Sequence, residues 1–129
     1  MSRPVAYQGQ ARRIVYAITS AGSPGLDFVD GLDVRNKAKV FKLFQMLGDR
    51  GEIHNKEHFK PIEGTKFCEF KSHQIRIPCY RDGLFWIVTH GFIKKDFKID
   101  PAELRRAERI RDEDKAMQAG IHKVHKAGR

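Results

Sequence analysis

The chain has 129 residues, enough for one domain with a single core of ordinary size, so a two-domain enzyme is not expected. Lys and Arg number 25 against 16 Asp and Glu, a formal charge of +9, which favours a polyanionic or acidic partner over a cationic or neutral one. The 40% hydrophobic content, with nine Phe, three Tyr and one Trp, excludes a disordered basic tail that coats nucleic acid without folding.

Residues 1–11 read as an N-terminal extension, 12–118 as the folded domain and 119–129 as a flexible basic tail. The opening MSRPVAYQGQARR lacks the continuous apolar stretch of a signal peptide, and no run of about 18 apolar residues follows, so neither secretion nor membrane spanning is expected. Arg12 to Ser20, RRIVYAITS, is rich in β-branched and aromatic side chains and ends in the turn-forming SAGSPG, which predicts a strand. Ser23 followed by Pro24 predicts a short helix to about Leu32, with Ser as N-cap and Pro where its missing N–H is harmless. From Asp33 a stronger helix follows. Val40, Leu43, Phe44 and Leu47 fall at i, i+3, i+4 and i+7, Lys37, Lys39 and Lys42 lie off that face, and Gly48 or Gly51 ends it.

Glu52 to Gly64 has no period and predicts a long loop. Three runs then predict antiparallel strands: TKFCEFKS, QIRIPCYR and LFWIVTHGFI. A two-residue turn at Asp82-Gly83 sets Arg81 against Leu84, Tyr80 against Phe85, Ile77 against Val88 and Arg76 against Thr89; one at Ser72-His73 sets Glu69 against Arg76 and Cys68 against Ile77. One sheet face then collects Cys68, Phe70, Ile75, Ile77, Cys79, Trp86 and Val88 as core. The other collects Glu69, Lys71, Arg76 and Thr89 as a polar, basic surface. Pro78 removes a ladder donor and is expected to distort its strand just past Arg76. Asp100-Pro101-Ala102-Glu103 carries the N-cap, N1 proline and N3 acid of a capping box, opening a last helix to about Met117. Its stripe of Leu104, Ala107 and Ile110 is thin, so the helix should dock along a narrow, displaceable seam. The fold class is therefore α+β: a strand, two helices, a three-stranded antiparallel meander joined into one small sheet, and a C-terminal helix.

Cys68 and Cys79 form no CxxC and have no paired Cys/His spacing, which supports neither a zinc ribbon nor a disulfide framework and points to packing roles in a reducing cytoplasm. The six histidines lack ligand spacing, so no metal site and no cofactor are expected. No GxSxG, P-loop or dinucleotide fingerprint occurs. What remains is a basic cluster: Lys71 and Arg76 on one sheet face, Arg81 at the turn, Lys94, Lys95 and Lys98 after the last strand, and Lys66 at the head of the first. Tyr80 and Phe97 lie close enough in sequence to offer stacking surfaces. Such a groove can hold RNA or cleave it. Cleavage needs a base for the 2′-hydroxyl, which crowded cations can make of a lysine, and a guanidinium to neutralise the phosphorane. Composition does not choose between binding and cleavage.

The triplet Glu69-Phe70-Lys71, Arg76 on the next strand, and His90-Gly91-Phe92-Ile93-Lys94-Lys95 before the capped helix resemble the RelE/ParE toxin superfamily, in its phage-derived, HigB-like branch. The resemblance covers about residues 12–114 and implies a RelE-like fold. It also implies a cytoplasmic toxin of a type II toxin–antitoxin pair that enters the ribosome and cuts mRNA without a metal, held in check by a small antitoxin, usually of helix-turn-helix type. Carried over, Lys71 and Arg76 match the sheet-face basic residues of the family's active groove, and Lys94 and Lys95 its basic element after the last strand, with Lys71 or Lys94 as base and Arg76 as transition-state stabiliser. Lys71 stands where the family more often has Arg, and Asp96 where a small hydroxyl residue is commoner. Two alternatives stay open: a toxin that acts on a protein such as gyrase, and a non-catalytic nucleic-acid-binding module of phage origin.

Overall fold

Alternating and helical apolar patterns resolve into three helices and one mixed sheet in the computed structural model, which describes residues 2–127 and the side chains of 2–120. The strands are β1 (Val5–Gln8), β2 (Arg13–Tyr16), β3 (Phe59–Pro61), β4 (Cys68–Ser72), β5 (Ile75–Asp82), β6 (Phe85–Val88) and β7 (Phe92–Ile93); the helices are α1 (Pro24–Asp30), α2 (Val34–Arg50) and α3 (Pro101–Ala127). The sheet order is β1-β2-β6-β5-β4-β3, with β7 pairing β5. β2 and β6 run parallel, and the other pairs are antiparallel. The α+β expectation holds, and the arrangement is compatible with a RelE-like fold. No helix among the described residues is long and apolar enough to cross a membrane.

Two strands were not expected: β1 lies within the segment read as an extension and β3 within the segment read as a loop. The run LFWIVTHGFI, read as one strand, divides into β6 and β7. The hairpins also differ from expectation, each by two residues in the same direction. Asp82 pairs with Phe85 and Arg81 with Trp86, so Gly83 and Leu84 make the turn; Lys71 pairs with Arg76 and Ser72 with Ile75, so His73 and Gln74 make the other. His73 and Gly83 supply the positive φ these turns require, at 55° and 61°. An even slip leaves every side chain on its expected face.

Pro78 leaves β5 continuous. It sits between the stretch of β5 paired with β7 (Ile75, Arg76) and the stretch paired with β6 (Cys79–Asp82). Its carbonyl accepts from the Thr89 N–H at 3.0 Å and from the Thr89 hydroxyl at 3.3 Å, so its missing donor faces the gap between two partners.

The first sheet face is the main core. Val40, Leu43, Phe44 and Leu47 of α2 bury as their spacing predicts, against Ile14, Tyr16, Phe59, Phe70, Ile75, Ile77, Cys79 and Val88. The Phe44 ring meets Phe70 edge-on at 5.0 Å. Asp33 caps α2 by accepting from the Asn36 N–H at 3.3 Å, and Gly51 ends it in a left-handed conformation. The Gly48 carbonyl, freed in the last turn, accepts from Ala11 and Arg12 N–H groups at 2.9 and 2.8 Å, and this stitches the β1–β2 loop to the helix.

The second face is not uniformly polar. Val15, Ala17, Tyr80 and Ile87 form a smaller core there with Ile62, Phe67 and, from α3, Ala107 and Ile110. The seam is narrow as expected, but polar contacts pin it. Asp114, fully buried, accepts from Arg3 Nε at 3.0 Å and Nη2 at 2.6 Å, and from the Ile18 N–H at 2.7 Å. Glu113 accepts from the Ser20 N–H and hydroxyl, both at 2.8 Å. The helix also continues to Ala127 in place of ending near Met117, so the backbone of most of the predicted tail is helical; residues 128 and 129 lie outside the described residues.

Candidate nucleic-acid interface

β4 and β5 place Lys71 and Arg76 directly opposite one another on the second face, beyond the end of the α3 seam. β7 pairs with the start of β5, and its Phe92 lies opposite Arg76. The Lys94 N–H donates to the Gln74 carbonyl at 2.7 Å, so the segment bearing Lys94 and Lys95 is tied to the β4–β5 turn. This tie brings residues far apart in sequence to one spot.

Arg76 is 8% exposed, and its guanidinium is held by backbone: Nη1 donates to the His73 carbonyl at 2.6 Å and to the Ile75 carbonyl at 2.9 Å. Buried Glu69 lies 3.9 Å from Arg76 Nε, close enough to offset charge and too far to accept a hydrogen bond. Lys71 holds the Lys56 carbonyl weakly at 3.5 Å. Partial burial, followed by the charges of Lys60, Arg76 and Lys94, lowers the Lys71 pKa from the ordinary lysine value, against the opposing pull of Glu69. Four cations thus crowd one buried carboxylate.

Two clefts meet at Arg76. One, of about 400 Å³, is lined by Gln74, Arg76, Lys94, Lys95, Asp96 and Phe97. The other, of about 680 Å³, lies between α2 and the β4–β5 turn; Lys39, Lys42, Leu43, Met46, Lys71, His73 and Arg76 are among its lining residues. Lys94 and Phe97 also border a third hollow with Lys60, Glu69 and Lys98. Phe97 projects fully into solvent at 101% relative exposure, free to stack.

Of the residues singled out from sequence, Lys71, Arg76, Lys94, Lys95, Phe97 and Lys98 come together here. Tyr80 does not: its ring is buried under α3, edge-on to Phe67 at 5.9 Å and below the Lys115 ammonium, so it offers no face to a base. Arg81 turns to the opposite face and donates to the Gly83 carbonyl at 3.0 Å, and exposed Lys66 stands in the β3–β4 loop; neither lines the two clefts. Sequence reasoning missed Lys60, hidden in a segment read as loop, and Lys39 and Lys42, read only as lying off the apolar face of their helix. The signal for the last two was their i, i+3 spacing beside Leu43 and Met46, which puts all four along one edge of α2.

The His90-Gly91-Phe92 stretch is structural. His90 is fully buried, bonds Thr89 Oγ1 through Nδ1 at 3.0 Å, and stacks on Phe92. Burial, then Arg106 and Arg109, lower its pKa to about 4, so it is neutral at physiological pH and its 3.4 Å approach to Glu103 is not an ion pair. A side chain on Gly91 would strike the Phe28 ring at 2.1 Å, so only glycine lets the chain pass α1 here. Asp100 caps α3 by accepting from the Ala102 N–H at 2.9 Å, while Glu103 faces His90 and does not close the predicted capping box. Among the described residues no group of three or more His, Cys, Asp and Glu gathers to hold a metal ion.

No curated protein matches the chain. A family model described as "Phage derived protein Gp49-like (DUF891)" matches residues 27–112, which span α2, most of the sheet and the start of α3. The chain belongs to this Gp49-like phage-derived family, a family of RelE/ParE-like toxins.

Proposed function

We propose that the protein is a toxin of a type II toxin–antitoxin pair, of the HigB-like branch, that cleaves mRNA on the ribosome without a metal and is silenced by a helix-turn-helix antitoxin. The observation that carries this reading is the convergence of Lys60, Lys71, Arg76 and Lys94 on one site at the junction of two clefts. So many cations against one acid suit a phosphodiester, whose charge rises in the transition state.

The scissile phosphate sits against Arg76, which lines both clefts. Lys71 is the base: partial burial and then like charges lower its pKa, which favours the neutral amine, and it takes the proton of the 2′-hydroxyl. The 2′-oxygen bonds to phosphorus, Arg76 neutralises the phosphorane, and the bond from phosphorus to the 5′-oxygen breaks. The leaving oxygen takes a proton from the ammonium of Lys94 or Lys95, giving a 2′,3′-cyclic phosphate and a 5′-hydroxyl. Arg76 is pre-positioned by the turn carbonyls that hold Nη1, so little order is lost on binding.

Induced expression in a bacterial host, with primer extension on a translated and an untranslated copy of one reporter, tests the reading. Growth arrest with cuts in the translated copy alone supports it, and arrest with both messages intact moves the target to a protein.

A further inference from the structure

Of the lining of the 680 Å³ cleft between α2 and the β4–β5 turn, the cleavage chemistry uses only Lys71 and Arg76. Lys39, Lys42, Leu43 and Met46 follow the i, i+3, i+4, i+7 spacing of one helix edge, so α2 presents two ammonium groups above an apolar floor. Lys39 is already placed, its Nζ 3.0 Å from His73 Nε2 across the mouth of the cleft. Lys71 and Arg76 close the opposite wall, and Glu57 is the one acid in the lining. The volume falls within the range of about 300–1,000 Å³ typical of sites for small organic groups, and methionine suits a planar group of variable shape.

We propose that this cleft is a second nucleotide subsite. Resting on the RNA reading above, the strand passes Arg76, seats one base on Leu43 and Met46, and places the neighbouring phosphate between Lys39 and Lys42. The geometry favours RNA over an acidic peptide because the cleft shares Arg76 with the cleft that holds Lys94 and Lys95, and because its cations stand beside apolar side chains, the alternation that a chain of phosphates and bases presents.

The test is fluorescence anisotropy with a labelled single-stranded RNA hexamer, 2′-O-methylated so that it cannot be cleaved. Its titrants are the full chain and its Lys42→Ala, Met46→Ala and Arg35→Ala variants, each checked for fold by circular dichroism. Arg35 is an exposed α2 cation outside both clefts and controls for bulk charge. Lys42→Ala is expected to weaken the hexamer about 5–10-fold and flatten the salt dependence of log K by about 0.7. Met46→Ala should weaken it about 5-fold with the salt slope unchanged, and Arg35→Ala less than about 2-fold. If folded Lys42→Ala and Met46→Ala bind like Arg35→Ala, the cleft is outside the RNA path and the proposal fails. If they keep RNA but lose a glutamate-rich peptide with apolar anchors, the cleft is a protein dock and the proposal fails equally. Wild-type protein that binds no RNA at all would instead overturn the RNA reading on which the subsite rests.

Discussion

The two halves of β5 lie in one strand and end in opposite environments. Cys79–Asp82 pair with β6, and beside them α3 is clamped by Asp114 and Glu113, whose oxygens meet Arg3, Ile18 and Ser20 donors. Ile75 and Arg76 pair with β7, where Lys60, Lys71, Arg76 and Lys94 surround the single Glu69. In the first half the buried charge, that of Asp114, is matched by Arg3. In the second the charge is unmatched and opens onto clefts, an arrangement that costs stability and that the proposed RNA ligand would offset.

Breaking the matched half should have the largest effect. Asp114→Ala strands the Arg3 guanidinium and the Ile18 N–H in a buried site, and should lower unfolding stability by about 3–5 kcal/mol in a denaturant melt. Gly9→Ala tests the same closed region from the other side of the sheet. Its new methyl would lie 2.0 Å from the Gly48 carbonyl carbon, which is backbone and cannot turn away, so a loss of about 3 kcal/mol is expected by the same melt.

His90 sharpens the comparison through pH. Its pKa in the folded chain is about 4, below the ordinary 6.5, so the unfolded chain takes up the proton first as pH falls. The stabilisation is complete above pH about 6.5 and is lost as pH drops toward 4; melts at pH 7 and 5 should differ by about 2 kcal/mol from this group, and by less in His90→Gln. The open half predicts the smallest change. Phe97→Ala removes a fully exposed ring and should leave stability within about 0.5 kcal/mol, while weakening RNA binding if the ring stacks a base.

The same division governs what the sequence made legible. The closed core was readable because periodicity states it directly: Val40, Leu43, Phe44 and Leu47 on α2, and Ile75, Ile77 and Cys79 on β5, are all buried. Both hairpin registers were off by two, because each turn begins one residue later than read, with His73 and Gly83 taking the positive-φ first turn position, yet the slip was even and the faces survived. β1 and β3 escaped because four residues that follow Pro4 and three that end in Pro61 carry too little alternation to detect. Asp114 was missed although it continues the Ala107 and Ile110 stripe, an acid where the helix face must be buried. Within the site, residues on adjacent strands were legible through pairing. Lys60 joins it by pairing opposite Glu69 from β3, a strand too short to read, Lys39 and Lys42 join it only through the packing of α2 on the sheet, and Tyr80 and Arg81 leave it because sheet position sends one under α3 and the other to the opposite face.

The central claim, that the unmatched cations of the open half cleave RNA, is tested most directly by end-group analysis of a reporter mRNA in a translating extract. The proteins compared are wild type and folded Lys71→Ala, Lys71→Arg and Arg76→Ala. Wild type should leave 2′,3′-cyclic phosphate ends at a rate that rises with pH through a pKa below the ordinary lysine value of 10.5, and each variant should lose about 100-fold or more, Lys71→Arg included because a guanidinium keeps the charge but cannot act as base. Intact mRNA with wild type, or cyclic ends formed at an undiminished rate by folded Lys71→Ala and Arg76→Ala, would contradict it.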